Sequence, residues 1–481
     1  MTTHAPAAPD TAPPAPGPTR SRALALTVLC AGMLMIILDG SIVTVALPAI
    51  QDDLHFSPAD LTWTVNAYLI AFGGLLLLAG RLGDLIGRKR VFIAGLAVFT
   101  AASLLCALAT SQGMLIAARF LQGVGGAMAS AVSLGMIVTL FPEPAERGRA
   151  IGAFSFVGAA GASIGQVLGG ALTQALDWHW IFLINLPIGL AAGLLALRVL
   201  APDRGPGLRA GVDAPGAALI TAALMLGIYA IVGTGGHGWT SPRTLLLGAL
   251  ALALLAAFTL RQARAARPLL PLRVFRSRGL SAAAAVQTLM VGGMFGFQVM
   301  IALYLQDVRG YGAAATGLAL LPAATTVGAV SLLLSARLIA RFGERRMLLT
   351  GLVLLLSGLA LLTRLPVEAD YALDVLPTML LISGFGLAIS ALTALAMAGV
   401  DPRDAGTASG LFGTSQQVGG ALGVAVLSTL ATGRAHTLAA AGHPAAESLT
   451  AGFRLAFAVA TGLLALALLL AAILVRPVSR A

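Results

Sequence analysis

Long apolar runs broken by short polar turns occupy the chain from residue 23 onward. Crossing a bilayer core of about 30 Å takes about 20 apolar residues in a helix. Fourteen stretches fit that pattern: 23–47, 61–80, 91–109, 113–140, 150–173, 179–200, 213–233, 244–260, 281–305, 313–336, 347–364, 373–398, 405–431 and 452–475. The pattern predicts an all-α polytopic membrane protein with 14 transmembrane helices. An even number puts both termini on one side. The first 22 residues, rich in Pro, Ala and Thr, read as a disordered tail. They are not read as a signal peptide, because the apolar run Ala23 to Leu47 is too long and lacks a cleavage site.

Composition removes the other classes. A chain of 481 residues would ordinarily suggest several soluble domains. With 58% hydrophobic and 10% charged residues, it has too few charges to coat them. The same figures exclude disorder. Two cysteines, Cys30 and Cys106, both within apolar runs, exclude a disulfide scaffold. A net charge of +11 would raise nucleic acid as a partner for a soluble protein. With the N-terminus inside, however, 24 of the 30 Lys and Arg residues fall in cytoplasmic segments. Only Arg243, Arg309, Arg364, Arg434 and Arg454 fall outside, and Arg119 lies within a span. That sorting obeys the positive-inside rule, puts both termini in the cytoplasm and leaves no case for nucleic acid.

The chain repeats itself faintly. Gly80 to Arg90 joins the second and third stretches, and Ala336 to Arg346 joins the tenth and eleventh. Both are short basic turns with a glycine at the same place, Gly87 and Gly343. Matching positions suggest two equivalent six-helix bundles around an inserted pair, a 6 + 2 + 6 arrangement typical of transporters. The expected units are a cytoplasmic tail (1–22), a first bundle (23–200), the inserted pair with linkers (201–278), a second bundle (279–475) and a short cytoplasmic tail (476–481).

Charges inside spans carry the chemistry, because each costs several kcal/mol unless paired or hydrated. Asp39 lies nine residues before Pro48 in the first stretch, about 13 Å from its outer end. Arg119 lies about 10 Å into the fourth stretch from the same side. Asn66 and Tyr68 enter from that side to a similar level, so these four residues are expected to line one polar cavity. Asp39 reads as a proton carrier or a binder of cationic cargo. The other possibilities are a fixed pair with Arg119 or a cap on a helix break near Gly40. Gln122 shares a helical face with Arg119. Gly161, Gly165 and Gly169, at i, i+4 and i+8, and then Gly170 form a smooth face for close helix packing or sliding. No nucleotide-binding loop or enzyme constellation occurs. The six histidines form no metal-ligand spacing. No cofactor and no metal are expected.

At this point the chain resembles a known family: the major facilitator superfamily, and within it the fourteen-helix drug/proton antiporter branch. Leu38 to Pro48 resembles that branch's first-helix motif, L-D-x-T-I-V-N-V-A-L-P. Gly80 to Arg90 is similar to the loop motif G-x-L-x-D-x-x-G-R-[KR]-x, and Ala118 to Gly123 to the fourth-helix motif. Trp178 to Gly189, Gly317 to Pro322, Gly406 to Gly410 and Gln416 to Gly423 follow in the branch's order. The resemblance implies that Asp39 is linked to protonation or cation binding and Arg119 to proton coupling. It also implies that Gly80, Asp84, Gly87 and Arg88 belong to a cytoplasmic latch between conformations. Two positions depart from the pattern: Gln166 stands where the fifth-helix motif has proline, and Thr44 where the first has asparagine.

The expected function is a monomeric, proton-coupled exporter of a small hydrophobic drug or antibiotic in the bacterial inner membrane. A metabolite transporter for an amino acid or siderophore, or a non-transporting sensor on the same fold, remain the alternatives. Lys89 is the only lysine amid heavy Ala, Arg and Gly usage, which suggests a high-GC bacterium.

Overall fold

The computed structural model describes residues 19–474 apart from 57, 62, 204, 206, 208–212, 266–277, 312 and 398–404. Helices dominate, and no strand occurs among the described residues. In lipid the backbone finds no water, so each apolar run satisfies its own hydrogen bonds as a helix. The first half of the chain holds α1 (Thr19–Leu54), α2 (Trp63–Ile86), α3 (Arg88–Ala107), α4 (Gln112–Leu140), α5 (Pro144–Ala175) and α6 (Asn185–Val199). Next come α7 (Ala214–His237) and α8 (Pro242–Arg264). The rest holds α9 (Arg278–Leu303), α10 (Ala313–Ala329), α11 (Ser335–Phe342), α12 (Glu344–Leu362), α13 (Gly384–Met397), α14 (Ala405–Ala440) and α15 (Ala445–Leu474). Among the described helices, 11 segments are long and apolar enough to cross a membrane. The stretches 150–173, 213–233 and 313–336 are helical as well, in α5, α7 and α10 with α11.

Two expectations shift at the ends. The first helix starts at Thr19, so residues 19–22 are helical rather than tail. Arg22 is held there by Glu146 of α5 at 2.9 Å. Residues 1–18 and 475–481 lie outside the described residues, as do Arg204, Arg209, Arg267, Arg273, Arg276 and Arg403.

Buried apolar side chains gather into separate cores. One draws only on residues 280–471. Two others draw only on residues between 25 and 200. A small fourth core joins Leu77 of α2 to Ala217, Ile220 and Phe258 of α7 and α8. α7 lies along the flank where α2 meets α14. Gly73 and Gly74 of α2 leave room there for Ile228 and Met225 of α7.

The two repeated turns share a backbone conformation. Gly87 has φ 103° and Gly343 has φ 84°, a region that glycine enters without the penalty a Cβ brings. The end carrying these turns is the basic end of the bundle. There the cores touch: Leu134 and Val138 of α4 pack against the 280–471 core. A Cβ on Gly410 of α14 would lie 2.7 Å from the Leu76 carbonyl of α2. One on Gly152 of α5 would lie 2.7 Å from the Ser331 carbonyl. These approaches close the basic end.

Candidate functional site

Asp39 lies near the middle of α1 and is fully buried, at 0% exposure. α1 runs through Gly40 without interruption, so Asp39 does not cap a helix break. Its Oδ2 accepts from Arg119 Nη1 of α4 at 2.5 Å. Its Oδ1 accepts from Gln122 Nε2 at 2.7 Å and from Asn185 Nδ2 at 3.0 Å. Arg119, 1% exposed, also donates Nε to the Thr64 carbonyl at 2.8 Å and Nη1 to Gln122 Oε1 at 2.7 Å. Gln122 Nε2 donates in addition to Ser103 Oγ of α3 at 2.8 Å. The guanidinium lies 4.5 Å from the Tyr68 ring centroid and 5.9 Å from that of Phe182. Five helices, α1, α2, α3, α4 and α6, thus meet in one polar cluster around Asp39.

This corrects the expected open cavity. Asp39, Arg119, Gln122 and Tyr68 are all buried, so they form a sealed polar knot. Tyr68 contributes its ring face to Arg119. Asn66 is half-buried and takes no part in the hydrogen bonds around Asp39. Sequence reading missed Asn185, Ser103 and the Thr64 carbonyl. Asn185 stands in an Asn-Leu-Pro run at the start of α6, a polar residue in an apolar stretch. Its Oδ1 is buried with no hydrogen-bond partner, so only the donor half of the amide is used.

The glycine face of α5 lies against α1 in the segment that bears Asp39. A Cβ on Gly161 would come 3.2 Å from Leu34, and one on Gly169 2.8 Å from the Ile42 carbonyl. Gly165 faces Ser41 and the Leu38 carbonyl, while Gly170 is looser, 3.8 Å from Val45. α5 continues past Gln166 as one helix without the proline of the family pattern.

At the basic end, Arg88 Nη2 pairs with Asp84 Oδ1 at 3.1 Å, one turn apart. Gly80, one turn before Asp84 on α2, is buried. The backbone N–H groups of Arg88 and Lys89 donate to the two carboxylate oxygens of Asp203, at 2.6 and 3.1 Å. Asp203 therefore caps α3, a role that Gly87 has no side chain to fill. Lys89 Nζ binds the carbonyls of Leu197 and Leu200 at the end of α6, at 2.8 and 2.5 Å. The segment following α6 is thereby strapped over the turn.

Residues 29–424 match the sequence signature of the Major Facilitator Superfamily. The chain belongs to that superfamily. It is a multi-pass transporter rather than an enzyme. It is 40% identical over 467 residues to the puromycin resistance protein pur8 of Streptomyces alboniger, covering 95% of this chain and 92% of that protein. It is 39% identical over 415 residues to the cephamycin export protein CmcT of Amycolatopsis lactamdurans, covering 86% and 85%. Its fold resembles the crystal structure of the human organic anion transporter MFSD10 (TETRAN), with TM-score 0.69 at 16% identity, over 95% of this chain and all of the other.

Proposed function

We propose that the chain exports a small hydrophobic drug or antibiotic in exchange for protons. Two six-helix halves, 23–200 and 279–475, would rock about the sealed knot, with the pair within 201–278 on their flank. Separate buried cores and the matching Gly87 and Gly343 turns support that division. Fourteen crossings, with both termini in the cytoplasm of a bacterial inner membrane, follow from the same reading. The protein acts as a monomer.

The observation that carries the coupling is the fully buried Asp39, whose charge is balanced by Arg119 alone. A proton arriving at Asp39 removes the charge that holds Arg119, and the freed guanidinium then needs another partner. Two arrangements with different needs make a two-state element that a proton biases. Closure at the basic end corresponds to the outward-facing state, in which the proton is loaded. Asp84 and Arg88, with Gly80 and Gly87, act as the latch at that end, and α5 slides on α1 along Gly161, Gly165, Gly169 and Gly170.

The relatives named for puromycin resistance and cephamycin export support an antibiotic as cargo. Expression in a drug-sensitive host tests both parts. Resistance should appear, and an uncoupler should raise cell-associated drug. An uncoupler that lowers cell-associated drug would indicate proton-driven uptake and overturn the reading.

A further inference from the structure

At the basic end α5 of the first half meets the end of the π-helical turn Val330–Leu334 and α11 of the second. Gly152 lies against Ser331 there, and Ser331 Oγ donates to the Gly152 carbonyl at 3.5 Å. Beside this contact lies a pocket of about 380 Å³ lined by Arg149, Ala336, Arg337, Ala340 and Arg341. Arg149 comes from one half, the other four from the other. Arg337 and Arg341 are four residues apart and share a helix face. Ala336 and Ala340 keep the neighbouring wall short, which leaves the space open.

Among the described residues, three cations converge on this pocket and no acid lines it. Several other cations at the same end have partners. Arg22 has Glu146, Arg88 has Asp84, Arg261 has Asp213, and Lys89 has two carbonyls. Arg345 donates to the Ala472 carbonyl at 2.7 Å. Among the described residues, neither an ion pair nor a hydrogen bond engages the guanidinium of Arg149, Arg337 or Arg341. Arg341 lies only over the adjacent Phe342 ring, at 5.4 Å. Gathered like charges repel, and a multivalent anion relieves that repulsion. Guanidinium forks match phosphate oxygens two at a time. Basic pockets between helices on the cytoplasmic side suit anionic headgroups, where the leaflet itself is negative.

We propose that this pocket binds a phosphate group and so clamps the two halves together at the basic end. Because its walls come from both halves, the bound phosphate favours the closed arrangement over any in which the halves separate there. The site does not depend on which cargo the chain carries.

Thermal unfolding of the purified full-length protein in neutral detergent tests this. The probes are phosphatidylglycerol, phosphatidylcholine and inorganic phosphate, with bound lipid counted by native mass spectrometry. Phosphatidylglycerol should raise the unfolding midpoint, and phosphatidylcholine should not. The triple change Arg149→Gln, Arg337→Gln, Arg341→Gln should weaken the apparent affinity at least tenfold, and Arg337→Gln alone several-fold. A response to phosphatidylglycerol only assigns the phosphate to a lipid headgroup. A response to inorganic phosphate as well, with the same dependence on the arginines, assigns it to a soluble phosphate. No stabilisation by either probe, or an undiminished response in the triple variant, overturns the site. Should the triple variant not fold, Arg337→Gln and the salt dependence of the wild type decide it. Affinity unmoved by both would sink the proposal. The lipid response is read on the purified protein with no cargo present, which separates this site from the fate of drug export.

Discussion

Asp39 takes three side-chain hydrogen bonds while fully buried, and its partners differ in what their loss does. Asp39→Asn leaves Arg119 buried and unpaired, and Arg119→Gln leaves Asp39 so. Each should cost about 3–5 kcal/mol of stability, because the remaining charge is uncompensated. The double variant should regain most of that loss, since no net charge is left buried. Efflux should be absent in all three. Thermal unfolding and drug accumulation, measured together, separate a structural pair from a coupling pair: recovered efflux in the double variant would reduce the pair to structure. Asn185→Leu removes one donor from the carboxylate and should cost about 1–3 kcal/mol. Efflux should fall as well, since the carboxylate that holds Arg119 loses a donor. Unchanged efflux would leave Asn185 as packing only. Asp39 and Arg119 were legible in the sequence because a charge within an apolar run is costly and therefore conspicuous. Asn185 was not, since amides in membrane helices are common and mild. Thr64 acts through its carbonyl, which every residue carries. Asn66 matched the depth of Asp39 along its helix, yet depth alone does not give the direction a side chain faces.

At the scale of elements, apolar run length placed the helices well, while long-range caps escaped it. Asp203 caps α3 from 115 residues away, through a strap after α6. No local pattern encodes that distance. The link between α7 and α8 is of the same kind but more compact. Asp213 caps α7 through the Gly216 amide at 3.0 Å and accepts from Arg261 at 2.6 Å and Gln262 at 2.8 Å on α8. Burial pushes its carboxyl up, but the bonds from Arg261, Gly216 and Gln262 outweigh this and hold it below the ordinary 3.8. A depressed carboxyl stabilises the fold above its unfolded value and loses that contribution as pH falls through the folded one. Asp213→Asn should therefore lower the unfolding midpoint at neutral pH, and Asp213→Ala lower it more, because asparagine still caps. The gap between wild type and Asp213→Asn should narrow as the medium is acidified below 3.8. A gap constant with pH would show that the charge on Asp213 contributes nothing.

Over the whole molecule, the 280–471 core meets α4 at the basic end, and the knot around Asp39 lies among the cores drawn from residues 25–200. Hydropathy and motif order made the superfamily readable. The state of the molecule was not readable, because both arrangements of a rocking transporter bury the same apolar runs. That state rests on side-chain contacts such as Leu76 against α14. A Cβ on Gly413 would lie 3.5 Å from Leu76 Cδ1, an ordinary contact across the two halves. Cysteines placed at both positions face each other across this contact, and a short bis-methanethiosulfonate linker spans them. Linking Leu76→Cys, Gly413→Cys should join the halves, seen as loss of reactive thiol. If the halves must part here to load cargo, efflux should stop on linking and return with reductant. Each single-cysteine variant should export throughout. Full efflux from a chain with the link in place would mean that α2 and α14 stay together through the cycle. Rocking about this contact would then be the wrong motion, and the path for cargo would have to open elsewhere.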